Sequence, residues 1–137
     1  MASIQTSARL TEGEFTFRDL NKNGRLDPYE DSRRPIDERV EDLLSQMTLE
    51  EKAGLMFHMI AAVNKDGSLN PPSDGFMRGA PISEMVSTQL LNHFNVHALP
   101  QPRLAAQWYN NLQALAESTR LGIPVTISSD PRHAFSN

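Results

Sequence analysis

The sequence predicts an α/β protein in which helices pack on a parallel sheet. Two short strand-like segments, 93–99 and 123–128, lie on either side of a long helical segment that follows Pro102. Strand, helix and strand in this order form a βαβ unit, which joins parallel strands. A loop rich in Asp and Asn at 19–30 comes before these elements. The chain therefore divides into a polar loop region followed by an α/β region.

Length and composition limit the classes of protein to consider. The 137 residues suffice for one ordinary domain, and a net charge of −4 without a basic cluster disfavours nucleic acid or an anionic membrane as a partner. Cysteine is absent, which excludes disulfides, thiolate metal sites and a Cys nucleophile. No segment approaches the roughly 20 apolar residues of a membrane span, and the first residues lack the features of a signal peptide. We therefore expect a cytoplasmic location.

Residues 1–16 are polar and without periodicity, and we expect a loose lead-in. The region 17–34 then contains a twelve-residue motif that fits an EF-hand calcium loop from Asp19 to Glu30. Calcium prefers six to eight oxygen ligands, and a glycine at position 6, here Gly24, allows the sharp bend. The predicted ligands are the side chains or carbonyl oxygens of Asp19, Asn21, Asn23, Arg25 (backbone) and Glu30, with Asp27 acting through a water.

A simpler interpretation of the end of this motif is a helix start. Asp27 would be the N-cap, Pro28 the first helical residue, and Glu30 the partner in a capping box. The two interpretations are compatible, because a calcium loop leads into a helix. The preceding residues 15–18 make a poor entry helix, so we expect a structural site of modest affinity and not a regulatory EF-hand pair.

Two helices are predicted next. The first begins near Pro35, and its apolar residues at i, i+3, i+4 and i+7 predict one buried stripe, formed by Val40, Leu43, Leu44 and Met47. Thr48 and Glu51 form a capping box that starts the second helix, which we expect to run to about Ala62.

The rest of the chain has a regular order of elements. A long loop is predicted at 64–81 and a short helix from Ser83 to Leu91, before the strand at 93–99. The helix after Pro102 repeats apolar residues every three or four positions and is predicted to end at Gly122. Asp130 lies just beyond the final strand, at the sheet edge where α/β proteins bind ligands.

Two sequence patches resemble family 3 glycoside hydrolases, the β-glucosidase and exo-glucanase type of enzyme. The first patch comprises the 19–30 loop and the two helices, including Arg39-Val40-Glu41-Asp42-Leu43-Leu44 and Met47-Thr48-Leu49-Glu50-Glu51-Lys52. The second patch is Leu121-Gly122-Ile123-Pro124-Val125, followed by Asp130-Pro131-Arg132-His133. The family often has glycine where this chain has Ala134, so the backbone after His133 is expected to differ.

The resemblance implies that 35–137 is the start of a (β/α)₈ TIM barrel, truncated here. It also implies retaining hydrolysis of β-linked glucosides or oligosaccharides, with Asp130 and His133 holding the terminal sugar. The family's catalytic nucleophile lies more than a hundred residues downstream, so we assign no catalytic residue to this chain and expect it to be inactive alone. The expected partners are the substrate and the C-terminal part of the same enzyme. Complete relatives are often periplasmic or secreted.

Other functions are also considered. The chain could be a small calcium-binding structural module without catalysis, which would use the 19–30 loop alone. Another sugar, such as xylose or N-acetylglucosamine, could be the substrate of the complete enzyme. Zinc is disfavoured because the four histidines lack a recognised motif, and serine chemistry at Ser128-Ser129 lacks the expected glycine elbow.

Overall fold

A computed structural model describes residues 7–61, 63–64, 66–69, 80–96 and 101–129. These residues form two small sheets and four α-helices together with one 3₁₀ turn. In chain order the elements are β1 (Ala8–Glu12), β2 (Phe15–Asp19), the 3₁₀ turn (Pro28–Glu30), α1 (Ile36–Gln46), α2 (Leu49–Leu55), β3 (His58–Ala61), α3 (Ile82–Ser87), β4 (His93–Val96), α4 (Pro102–Ser118) and β5 (Thr126–Ser128).

The second sheet confirms the predicted βαβ unit. Its strand order is β3-β4-β5, all neighbours are parallel, and α4 connects β4 to β5. His58, His93 and Thr126 are paired in register across the three strands. The described residues therefore form part of an α/β domain. The predicted TIM barrel requires more strands than these, and it remains a proposal.

Strand β3 was not predicted, because the apolar run that contains it was assigned to the second helix. That helix, α2, ends at Leu55, and the chain then pairs with β4 from His58 to Ala61. Short apolar runs fit a buried helix and a strand equally well by periodicity, so pairing with β4 decides the outcome. The prediction that α2 reaches Ala62 was wrong.

One face of the parallel sheet carries the hydrophobic core. Phe94, Trp108 and Leu112 are the largest fully buried side chains, and they join β4 to α4. Ala61 of β3 and three residues of α3 complete this side of the sheet, the latter being Ile82, Met85 and Val86. The apolar spacing along α4 thus predicted its buried face correctly.

The predicted capping box at the start of α2 is confirmed. Thr48 Oγ1 accepts a hydrogen bond from the Glu51 N–H at 3.2 Å, and Glu51 Oε2 accepts one from the Thr48 N–H at 2.9 Å. Glu51 also forms an ion pair with Arg120, which lies beyond the end of α4. The pKa of the Glu51 carboxyl is lowered, chiefly by this hydrogen-bonded guanidinium. Glu51, which takes part in the capping box of α2, therefore also connects this helix to the segment before β5.

The buried stripe predicted for α1 is largely wrong. Met47, just after the helix, is buried, but Val40 and Leu44 are 48% and 44% exposed. Ile36 extends the exposed apolar row along the same face, at spacings of four residues. The spacing identified a common face correctly, but no described element covers that face.

The ends of α3 and α4 also differ from the prediction. Helix α3 stops at Ser87, and Leu90 adopts φ 62° in the turn that follows. Helix α4 ends at Ser118, four residues before Gly122. Gly122 has φ 60°, but it serves a close approach of the 19–30 loop and does not end the helix.

The loose lead-in is also corrected over residues 8–16. β1 and β2 form an antiparallel hairpin that pairs Ala8 with Asp19, and Gly13 turns between them with φ 61°. The guanidinium of Arg33 stacks over the Phe15 ring at 3.9 Å. The hairpin was not predicted, because most of its side chains are exposed. The alternation of apolar and polar residues that is typical of a strand is therefore weak.

Candidate functional site

Asp19 organises the start of the 19–30 loop. It is 5% exposed, and its Oδ1 and Oδ2 accept hydrogen bonds from the N–H groups of Asn23 at 3.0 Å and Gly24 at 2.9 Å. Gly24 has φ 78°, in the left-handed region that favours glycine. The predicted bend at position 6 is therefore present, and the carboxylate of Asp19 lies inside it.

Glu30 closes the loop at its other end. Its Oε1 accepts hydrogen bonds from the N–H groups of Leu20 at 2.6 Å and Asn21 at 3.3 Å, and its Oε2 accepts one from Asp27 at 3.1 Å. Burial raises the pKa of the Glu30 carboxyl, while these backbone donors act in the opposite direction. One carboxylate thus joins the first and last parts of the twelve-residue segment.

The side chains between these two carboxylates also converge. Asn21 Nδ2 and Asn23 Nδ2 each donate to Asp27 Oδ2 at 2.5 Å. Asn23 Oδ1 accepts from the Arg25 N–H at 2.8 Å. Asp27 and Glu30 also form the capping box of the 3₁₀ turn, so the helix-start interpretation and the loop interpretation both apply.

The donor set fits a hard cation such as calcium in its chemistry. Each carboxylate oxygen has about two acceptor sites, so an oxygen that accepts one backbone N–H can still bind an ion. Within the part of the chain that the structure describes, no group of three or more His, Asp or Glu side chains is arranged to hold a metal ion. A calcium site here would therefore depend on amide oxygens of Asn21 and Asn23 and the carbonyl of Arg25.

The loop is hydrogen-bonded to the C-terminal end of α4, a contact that the sequence did not predict. Lys22, with φ 62°, donates from Nζ to the carbonyl oxygens of Leu20 and Glu117, both at 2.7 Å, and of Thr119. A cation at the carbonyl end of a helix is favourable because that end carries partial negative charge. Position 4 of a calcium loop is variable, so no signal in the motif pointed to this role.

Two further contacts join this region to the segment between α4 and β5. Leu20 packs so closely on Gly122 that a Cβ built there would lie 3.0 Å from both the Leu20 Cβ and its carbonyl oxygen. The buried hydroxyl of Tyr29 donates to the Leu121 carbonyl at 3.3 Å. The loop therefore packs directly against the backbone that leads into β5.

The predicted sugar site follows β5. Ser128 ends that strand, and Asp130 and His133 lie outside the described residues, as does His97. Ser128 Oγ lies 2.8 Å from His58 Nε2, which is within reach of a nucleophile and base pair. No carboxylate among the described side chains contacts His58, so the arrangement does not extend to a triad.

Comparison with known proteins identifies similar chains over nearly the whole length. An alignment of 134 positions, which covers 92% of the chain, gives 42% identity to "Periplasmic beta-glucosidase/beta-xylosidase" of Dickeya chrysanthemi. The chain is 44% identical over 78% of its length to "Probable beta-glucosidase C" of Aspergillus oryzae. It is 40% identical over 85% of its length to "Beta-glucosidase C" of Emericella nidulans.

The alignments support a glycosidase-type chain that matches one part of much longer proteins. The chain spans about a fifth of the length of the curated relatives it matches, with 19%, 16% and 18% of those proteins covered. No model of a known protein family matches the chain. Among the described helices, none combines the length and apolarity required to cross a bilayer.

Proposed function

We propose that this chain is the N-terminal part of a β-glucosidase-type family 3 glycoside hydrolase that hydrolyses O-glycosyl bonds of β-linked glucosides. The observation that carries the proposal is 40–44% identity to proteins named as β-glucosidases over most of the chain. The parallel sheet supports it, because Asp130 is the second residue after β5 in the sequence. In α/β barrels the carboxyl ends of the strands carry the substrate site.

In this proposal Asp130 holds two hydroxyls of the terminal sugar, and His133 lies beside it. A carboxylate can accept charge-assisted hydrogen bonds from adjacent hydroxyls and so fix the ring. Retaining hydrolysis also requires a nucleophile and a proton donor about 5 Å apart. We assign those two groups to the downstream polypeptide and none to this chain.

The exposed apolar face of α1 supports a larger assembly. Ile36, Val40 and Leu44 lie on one side of the helix, and Met56 and Phe57 are 85% and 57% exposed before β3. An exposed apolar row of this kind usually marks a surface that another element covers. In the proposal, downstream polypeptide of the same enzyme covers this face and completes the barrel.

Complementation tests the enzyme proposal. We expect the chain alone to leave p-nitrophenyl β-glucoside unchanged, and to hydrolyse it when co-expressed with the region of the Dickeya chrysanthemi protein that follows the matched segment. The reason is that each part supplies groups that the other lacks. The control is the downstream region expressed alone, and activity is followed by nitrophenolate absorbance. Turnover by the chain alone, or none in a co-purified complex, would contradict the proposal.

We also propose that the 19–30 loop binds one structural calcium ion. When bound, the ion would supply positive charge among Asp19, Asp27 and Glu30, and its ligands would be oxygens of Asp19, Asn21, Asn23, Arg25 and Glu30. The convergence of these side chains and the glycine bend support the proposal. The alternative function, a calcium-binding module without catalysis, uses the same residues and differs only in lacking the complementation activity.

Calcium should raise the melting temperature of the chain. At a free concentration 100 times Kd, the expected stabilisation is about 2.7 kcal/mol, because the folded loop binds the ion and the unfolded chain does not. Replacing Glu30 with Gln should remove most of the calcium-dependent increase, measured by circular dichroism with calcium or with a chelator. Asp37→Asn, at an exposed position in α1, is the matched control. Equal melting temperatures with and without calcium would exclude the site.

A further inference from the structure

The 19–30 loop contains a pair of residues that can react with each other. Asn23 is followed by Gly24, and no other asparagine of the chain precedes a glycine. In such a pair the backbone nitrogen of the glycine can attack the side-chain carbon, Cγ, of the asparagine. Glycine favours this attack because it has no Cβ to hinder the approach of its nitrogen. Both residues are exposed, so water reaches them.

The attack requires that Gly24 N first loses its proton, and the folded loop opposes this step. The Gly24 N–H donates to Asp19 Oδ2 at 2.9 Å. Asp19 is 5% exposed, and its negative charge disfavours a second negative charge on the nitrogen beside it. Removal of the proton therefore requires that this hydrogen bond opens.

The attack also requires that Asn23 Cγ comes within bonding distance of Gly24 N. The loop holds both ends of the Asn23 side-chain amide, because Oδ1 accepts from the Arg25 N–H at 2.8 Å and Nδ2 donates to Asp27 Oδ2 at 2.5 Å. The amide cannot turn without breaking these bonds. All of these partners belong to the same twelve-residue segment, so they are lost together when the loop opens.

We propose that Asn23-Gly24 is a deamidation site that the folded loop protects and that reacts when the loop opens. Gly24 N gives its proton to water and forms a bond to Asn23 Cγ, while the Cγ–Nδ2 bond breaks and ammonia leaves. Water then opens the resulting succinimide ring at either carbonyl. The product is aspartate at position 23, or its isomer with the backbone running through the side-chain carbon. This inference does not depend on the proposed enzyme activity.

Either product would weaken the loop in the absence of a bound cation. The donor to Asp27 Oδ2 is lost, and a second carboxylate lies where the Asn23 amide lay, 2.5 Å from the first. Two negative charges at this distance repel each other. The isomer also lengthens the backbone by one atom next to Gly24, which adopts φ 78° in the bend. A loop that has reacted therefore does not regain its original contacts.

The experiment compares deamidation of the 137-residue chain in mildly alkaline buffer with chelator and in the same buffer with urea. Peptide mapping by mass spectrometry follows the conversion of the Asn23 amide to a carboxyl group. Conversion should be at least about tenfold faster in urea, because a hydrogen bond to a charged group no longer has to open first. Asn21 precedes Lys22 in the same segment and should remain unchanged as an internal control.

Two substitutions test whether the observed contacts give the protection. Asp27→Ala removes the acceptor of the Asn23 amide and should accelerate conversion in the folded chain at least about threefold. Asp19→Ala removes the acceptor of the Gly24 N–H and should accelerate it at least about tenfold. Asp37→Ala removes an exposed carboxylate from α1 and should leave the rate unchanged. Circular dichroism shows which variants fold, and Asp27→Ala decides if Asp19→Ala does not.

Several outcomes would overturn the inference. Absence of conversion at Asn23 in urea would show that the pair is not reactive. Equal rates in buffer and in urea would show that the loop gives no protection. A folded Asp27→Ala variant that reacts at the rate of the unmodified chain would show that the contacts of the side-chain amide do not matter. None of these results bears on the complementation activity, so the proposed function is tested separately.

Discussion

Replacing Asp130 with alanine is expected to lower kcat/KM of the complemented enzyme by about a thousandfold. A hydrogen bond to a charged group contributes about 1.5–3 kcal/mol, and two such bonds to adjacent hydroxyls give a loss of this order. The loss should appear in kcat as well as KM, because a sugar that is not fixed also reaches the reacting geometry less often. Steady-state kinetics with p-nitrophenyl β-glucoside measure both constants.

Two further variants make the Asp130 result specific. Asp37→Ala removes an exposed carboxylate from α1 and should leave the kinetics unchanged. His133→Ala removes the residue that the proposal assigns next to Asp130 and should cost less than Asp130→Ala. If Asp130→Ala kept more than a tenth of the activity while the complex still formed, Asp130 would not hold the substrate.

Replacing Gly54 with alanine is expected to destabilise the chain strongly. Gly54 is buried in α2, and a Cβ at this position would lie 2.2 Å from the Leu90 carbonyl oxygen and 2.8 Å from the Leu90 carbonyl carbon. Both are backbone atoms, so they cannot move aside as a flexible side chain could. Leu90 also has φ 62°, in a turn held by a hydrogen bond from the Leu91 N–H to the Met85 carbonyl at 2.9 Å.

The expected loss is at least about 3 kcal/mol in the free energy of unfolding, because either α2 or the turn must shift. Thermal and urea unfolding followed by circular dichroism would measure it. Gly13→Ala is the matched control, since no atom lies within 4 Å of the added Cβ and only the positive φ, 61°, opposes it. That control should cost about 1–2 kcal/mol. Similar losses in both variants would show that the contact of α2 with the turn yields easily.

Local signals predicted several elements well. The pairing of Thr48 with Glu51 fixed the start of α2, and the apolar spacing of α4 identified Trp108 and Leu112 as core residues. These signals act within a few residues, or along one helix face. The outcomes for β3 and for the α1 stripe depended on distant partners, namely β4 and whatever covers α1. The sequence of a segment does not by itself identify the distant residues that pack against it.

The same distinction applies to the candidate sites. The motif from Asp19 to Glu30 predicted the bend at Gly24 and the capping box of Asp27 and Glu30, because both depend on local spacing. It did not predict that Lys22 reaches the end of α4, a contact between positions about 95 residues apart. The contact between Ser128 and His58 was not predicted, because it joins two separate strands and one of them, β3, was not expected. Asp130 and His133 remain predictions from family resemblance.

The close contact between Leu20 and Gly122 has a consequence for how related sequences diverge. As long as a chain retains the 19–30 segment, a side chain at position 122 would collide with Leu20 at about 3.0 Å. Relatives that have lost the segment are free of that collision, although the positive φ of 60° would still favour glycine or asparagine. Substitutions at position 122 should therefore accumulate in lineages where the 19–30 segment has been deleted. The segment and the glycine at 122 would then be inherited or lost together.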